Sequence, residues 1–205
     1  MSETDHDVAN EMFRESETLA QNILELDPND VEATYAVALT WYHRWPPESR
    51  ENCVEWLLKT GQLDPTFPWV PLYLGYQNFD TENYATAFQQ FARVNRDFFA
   101  SIEQHWRNLK TEELMIVCKM KGDSENLLFS ELVDIVNRYI AAEQEDRPIP
   151  IELVAAMVEG DFIKRFDENP MVVASEVVRL IEGIGDQGVF PNELQKLRGV
   201  IDSTE

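Results

Sequence analysis

The side chains that could hold a metal or attack a substrate are few and far apart. His6, His43 and His105 belong to no His-x-x-x-His arrangement, and Cys53 and Cys118 form no Cys-x-x-Cys pair. A zinc centre needs three or four such ligands converging on one point, so no metal site is expected. Each cysteine lies in an apolar run of helical character, which predicts a buried free thiol rather than a disulfide. No Gly-x-Gly-x-x-Gly or Gly-x-x-x-x-Gly-Lys-Ser loop is present to cradle phosphates, and Gly183, Gly185 and Gly188 lack the strand that a dinucleotide loop requires. A Gly-x-Ser-x-Gly nucleophile turn is absent as well. The expectation is a chain with no catalytic residues and no cofactor.

Two acidic patterns need weighing. Residues 182–194, EGIGDQGVFPNEL, resemble the end of an EF-hand loop, with Val189 four residues before Glu193. Aligned on Glu193, however, the ligand places fall on Glu182, Ile184 and Asp186, and Gln187 replaces the glycine of the sharp turn. Isoleucine offers a hard cation no oxygen, so a helix-linking loop is expected. Carboxylate pairs such as Glu112/Glu113 and Glu143/Glu145 suggest acid–base work, but in an acidic helical chain such pairs read as solvated faces.

The elements behind these residues are helices throughout, since alternating β-branched runs bounded by Asn-Gly or Asp-Gly turns are missing. A first helix covers roughly 9–26, with Met12, Leu19, Ile23 and Leu26 near one face, and Asp27-Pro28 ends it. Helices over 31–44 and about 48–62 follow, and a Pro-Pro pair in Arg44-Trp45-Pro46-Pro47-Glu48 stiffens the turn between them. Over about 68–99, Leu74-Gly75 is followed by Tyr84, Ala87 and Phe91, and Phe99 stands 34 residues after Pro65. Leu26-Asp27-Pro28 and Leu63-Asp64-Pro65 punctuate the same frame upstream.

With that spacing, residues 9–99 resemble about two and a half tetratricopeptide repeats, in which small residues let two antiparallel helices touch closely. On this resemblance Ala87 sits where the two helices of its repeat cross, and the first helix reads as the second helix of a repeat whose first is missing or lies in the short acidic leader. The match has departures. Pro28 to Pro65 spans 37 residues, Pro71 stands where tryptophan is usual, and Asn78 stands where tyrosine is usual.

Beyond residue 99 the frame fails. Residues 100–121 read as one uninterrupted helix ending at Gly122, and 125–144 as a strongly amphipathic one after Ser124. Glu143–Asp146 before Pro148 and Pro150 suggests a sub-boundary near 145–150, followed by helices over about 150–166, 170–184 and 191–202. The expected fold is therefore all-α: a tetratricopeptide-like superhelix over 1–99 and a helical carboxy-terminal bundle over 100–205.

Charge narrows the partners. Of 205 residues, 38 are acidic and 17 basic, a net charge of −21, and residues 1–32 hold ten acids against the single Arg14. Such a surface argues against nucleic acid and against anionic membranes, while favouring fast association with a basic protein. No apolar run approaches the ~18 residues that span a bilayer, and the acidic start MSETDHDVANEMF is unlike a secretory signal. A cytoplasmic protein is expected.

Tetratricopeptide arrays bind ligands along the groove lined by the first helix of each repeat. The places that grip a peptide carboxylate in some arrays carry Tyr35, Leu39, Trp69 and Tyr73 here, with no Lys, Arg or Asn among them, so that clamp is absent. The groove positions are instead Tyr35, Leu39, Tyr42, His43, Trp69, Leu72, Tyr76 and Phe79. Such a lining suits an apolar helix or extended segment, unless the chain's own carboxy-terminal helices fill it. The resemblance implies a non-enzymatic adaptor, assembly factor or chaperone-like binder. The charge suggests an alternative, an acidic inhibitor that occupies a basic effector or its nucleic-acid surface.

Overall fold

A computed structural model of the chain describes residues 3–44, 50–122, 127–159, 162–185 and 188–202. Among these, eleven α-helices and two short 3-10 turns form an all-α fold. The chain divides into two compact units, Met1–Asp80 and Thr81–Glu205. That division falls in the turn between Asp80 and Tyr84, inside the third repeat-like segment.

The amino-terminal unit holds α1 (Glu3–Leu26), α2 (Val31–His43), α3 (Arg50–Leu63) and α4 (Trp69–Asp80). The acidic leader is thus helical and continuous with the first expected helix. Asp30 caps α2 by accepting from the Ala33 N–H at 2.8 Å, satisfying one of the donors every helix start leaves open. Each helix packs on the next: α1 on α2, α2 on α3, α3 on α4. Val37, Ala38, Cys53, Leu57, Leu72 and Leu74 are buried there, and burial of a side chain of Leu size contributes ~1.5–3 kcal/mol. The expected turn at 45–48 lies outside the described residues.

The carboxy-terminal unit holds α5 (Tyr84–Phe91), α6 (Arg96–Ser101), α7 (His105–Lys121), α8 (Phe129–Ala141), α9 (Ile151–Val158), α10 (Pro170–Ile184) and α11 (Pro191–Asp202). Within it α7 is the hub, carrying α5 and α6 and packing on α8 and α9, while α10 packs on α8 and α11. Ala87 of α5 is fully buried, and the helix it packs on in this unit is α7. Residues 145–150 link α8 to α9 inside the same unit. At Gly183 a Cβ would come 2.7 Å from Ile140 Cγ1, so any larger residue there would have to displace the Ile140 side chain.

Two expected elements are corrected. Residues 100–121 are not a single helix, because α6 stops at Ser101 and α7 starts at His105. Glu103 adopts φ 59°, the left-handed region. The Gln104 N–H bonds Phe99 O at 2.8 Å and the Glu103 N–H bonds Ala100 O at 3.1 Å. Those two bonds make the left-handed helix stop that normally carries glycine. An L-residue there costs ~1–2 kcal/mol. Glu103→Gly should therefore raise the unfolding free energy by about 1 kcal/mol, lifting Tm by ~2–4 °C for a chain of this size. A thermal melt showing no gain would remove the assignment of strain to this residue. The helix expected over 150–166 also stops early, at Val158, with a separate 3-10 turn at Phe162–Arg165.

Candidate functional site: an aromatic wall in the amino-terminal unit

Spacing of three and four along α2 and α4 turns their aromatic residues to a shared side. The rings meet around Tyr73. Its centroid lies 4.8 Å from Tyr42 in an edge-to-face pair, 6.0 Å from Tyr76, 6.1 Å from Tyr35 and 6.2 Å from Trp69. Tyr35 extends the contact to Phe67 at 5.0 Å, and His43 extends it from Tyr42 to Phe13 of α1.

The wall has an inner and an outer layer. Tyr35, Leu72 and Tyr73 are buried. Leu39, Tyr42, Trp69, Tyr76 and Phe79 are half-buried, and His43 is exposed. The structure thus brings Tyr35, Tyr42, Trp69 and Tyr76 together around one ring. It also assigns that central place to Tyr73, which the groove reading passed over. The i, i+4 step from Trp69 to Tyr73 was the signal that pointed to it.

Electrostatics keep the outer layer neutral. Burial, with the Asp80 carboxylate and the neighbouring tyrosines adding to it, pushes the Tyr42 hydroxyl well above its ordinary range. Partial cover of the His43 ring lowers its pKa as well, which favours the uncharged imidazole. A cavity of about 280 Å³ opens beside Tyr42, bordered by Trp41, Arg44, Arg50 and Asp80. Arg44 lies over the Trp41 ring at 4.0 Å and is ion-paired with Glu17 of α1. The cavity therefore offers an aromatic side and a charged rim.

A second cleft, about 340 Å³, lies in the carboxy-terminal unit between Phe88, Ile116 and Ile135. Its rim balances Arg96, Lys119 and Arg138 against Glu112, Glu131 and Asp134. Glu112 pairs with both arginines, at 2.8 Å to Arg96, and Lys119 pairs with Glu131 at 2.6 Å. All three bases of this rim are thus engaged, by Glu112 and Glu131.

Glu112 and Glu113 are a further correction. Neither lies on a solvated face: Glu112 is largely covered and Glu113 is fully buried. Glu113 accepts from the Tyr139 hydroxyl, from Lys110 Nζ at 3.0 Å and from the Leu153 N–H at 3.1 Å. This carboxylate ties α7, α8 and α9 together. Position 113 stands four residues after Leu109 and four before Val117, in the buried row of α7, and that register was the available signal. Glu143 and Glu145 are exposed.

Among the described residues no three His, Cys, Asp or Glu side chains converge to hold a metal. In the loop likened to an EF-hand, Ile184 is buried and Glu182 pairs with Arg198 at 2.9 Å. Asp186 and Gln187 lie outside the described residues. Both cysteines are free and buried, their thiols pushed up to about 12 by burial. Among the described residues no helix is long and apolar enough to cross a membrane. No family model matches the chain, and no curated protein or solved structure matches it either.

Proposed function

We propose that the protein is a non-enzymatic, cytoplasmic protein-interaction module of tetratricopeptide-like design, an adaptor or assembly factor. The outer aromatic layer of α2 and α4 is its recognition surface. One observation carries this reading: Tyr42, Trp69 and Tyr76 stay half-exposed while seated on a buried ring, Tyr73. Rings held rigid yet accessible lose little entropy on binding, which is why Tyr and Trp dominate the anchor positions of interfaces. The neutral His43 and the un-ionised Tyr42 make the wall suited to an apolar helix or extended segment. Buried thiols in both units fit a reducing compartment.

The −21 charge favours a second reading, the acidic inhibitor of a basic effector. The two differ in salt response, because steered charge pairing weakens steeply with ionic strength and aromatic burial does not.

The test is affinity capture from the source cell with the parent chain and with Tyr42→Ala/Tyr76→Ala. Loss of two anchors worth ~2 kcal/mol each should weaken partner binding by more than ~100-fold, with far-UV circular dichroism unchanged. If the double variant captures the same partner at the parent level, the wall is not the surface. Unfolding of the variant would make the wall core and equally end the reading.

A further inference from the structure

Helix α1 has two apolar faces, and only one is used. Ala20, Phe13 and Leu24 fall on the face toward α2, where Phe13 stacks on His43 at 5.6 Å and Glu17 pairs with Arg44. The second face carries Val8, Met12, Leu19, Ile23 and Leu26, exposed by 61, 63, 66, 47 and 89%. At ~100° per residue these five lie within about 60° of one another, roughly 125° round the helix from the first face. From Val8 to Leu26 the row runs about 27 Å at 1.5 Å per residue. Single exposed apolar side chains need no explanation, but five along one side of a helix do.

The row has the form of a helix-packing seam. Val8, Met12, Leu19 and Leu26 repeat at steps of four and seven, with Glu15 and Asn22 at the places between. Met12, Leu19 and Leu26 thus fill one set of places of a helix-packing heptad, and Val8 opens the other set, whose next two places are polar. Charge then decides what kind of helix. Helix α1 holds seven acids and one base, a net −6, and its one base, Arg14, is engaged with Glu11 at 3.3 Å. A second copy lying parallel would set Glu15 against Glu15, and in either direction would join two helices of −6. Like charges across a seam are the feature that rejects a partner.

We propose that the outer row of α1 is a docking seam for a basic amphipathic helix of another protein. That helix would be about five turns long, with an apolar row flanked by Lys or Arg. Its apolar row would cover Met12, Leu19 and Leu26, and one of its bases would meet Glu15. This surface is separate from the aromatic wall and does not depend on it.

The probe is a fluorescein-labelled 21-residue helix of leucine and lysine, with leucines at the seam positions. It is titrated by anisotropy into the full chain at about 0.1 M salt, near the ionic strength where exposed charges are screened beyond ~10 Å. The same peptide with its leucines scattered round the helix, and a leucine–glutamate version, serve as controls. The key variant is Met12→Ser/Leu19→Ser, which leaves the net charge untouched. The leucine–lysine helix should bind, at least tenfold more tightly than either control. The double variant should weaken it at least tenfold without changing Tm, and Glu15→Gln should weaken it a few-fold.

Equal binding to parent and double variant, or to the scattered peptide, would mean that charge alone attracts the probe and would overturn the seam. A marked fall in Tm of the double variant would mean that the chain itself covers the row. Light scattering that shows a dimer made monomeric by the double variant would identify a second copy as the occupant. Absence of binding to the leucine–lysine helix would overturn the proposal outright.

Discussion

Glu113→Ala is expected to cost about 3–5 kcal/mol, the range for breaking a buried charged network from one side. Its carboxylate serves three donors on three helices, and truncation strands two of them in the interior. The Leu153 N–H belongs to the first turn of α9, where a carboxylate also opposes the positive end of the helix. The Tyr139 hydroxyl, on a fully buried ring, has no route to water. Lys110 keeps Glu152. At ~2–4 °C per kcal/mol for a chain of this size, the midpoint should fall by roughly 6–20 °C in a thermal melt. A shift under 2 °C would show that water replaces the carboxylate and that the three helices do not depend on it.

The same group has a pH signature. Burial is the largest influence on Glu113 and raises its pKa above the ordinary 4.5, against the pull of Lys110 and the Tyr139 hydrogen bond. The folded chain therefore holds this proton more tightly than the unfolded chain does. Below 4.5 both states are protonated, and the group takes nothing from stability. As pH rises from there through the folded value, the unfolded state ionises first and stability falls. Glutamine cannot titrate, so the margin of the parent over Glu113→Gln should shrink as pH rises through that window. Urea unfolding of both proteins at a series of pH values measures it, and a margin that widened would reverse the assigned direction.

Tyr73→Ala should cost a similar amount, about 3–5 kcal/mol, the range for removing a large buried aromatic side chain. Four rings lean on Tyr73, and each well-placed aromatic pair adds ~0.5–1.5 kcal/mol beyond burial. The loss should appear as a lower unfolding midpoint together with a weakened near-ultraviolet dichroism signal from the amino-terminal unit. Tyr73→Phe, which keeps the ring, should cost less than ~1.5 kcal/mol, as a volume-conserving change does. A Tyr73→Ala loss below 1 kcal/mol would mean that the neighbouring rings close the gap unaided.

Spacing and punctuation made much of the helical framework legible. The carboxy-terminal helices at 170–184 and 191–202 have the bounds expected of them: Asn169-Pro170 and Gly185 mark the start and stop of the first, and Pro191 marks the start of the second. Where the chain stops a helix with an unmarked residue, nothing in the sequence shows it. Glu103 takes the left-handed conformation that glycine or asparagine would have announced, and Glu82 does the same at φ 60°. Residue type misled in the same way at Glu113, since a glutamate reads as solvated until three donors on other helices are seen around it.

For the candidate site, periodicity placed Tyr35, Tyr42, Trp69 and Tyr76 on one wall, yet it could not order them by depth. A ring at the i+4 place, Tyr73, is central because of what crosses it from α2. Periodicity likewise found the row Met12, Leu19, Ile23 and Leu26 but not the side to which it turns. An apolar stripe has the same pattern whether or not a helix lies against it.

The two cysteines have a bearing on how the chain opens. Cys53 lies in one unit and Cys118 in the other, each covered by packed helices, with burial holding both in the unreactive thiol form. A reagent can reach either sulfur only when the surrounding helices part, so the labelling rate at each reports local opening. The unmodified chain thus carries one clock in each half, and comparing them tells whether the halves come undone together or in turn.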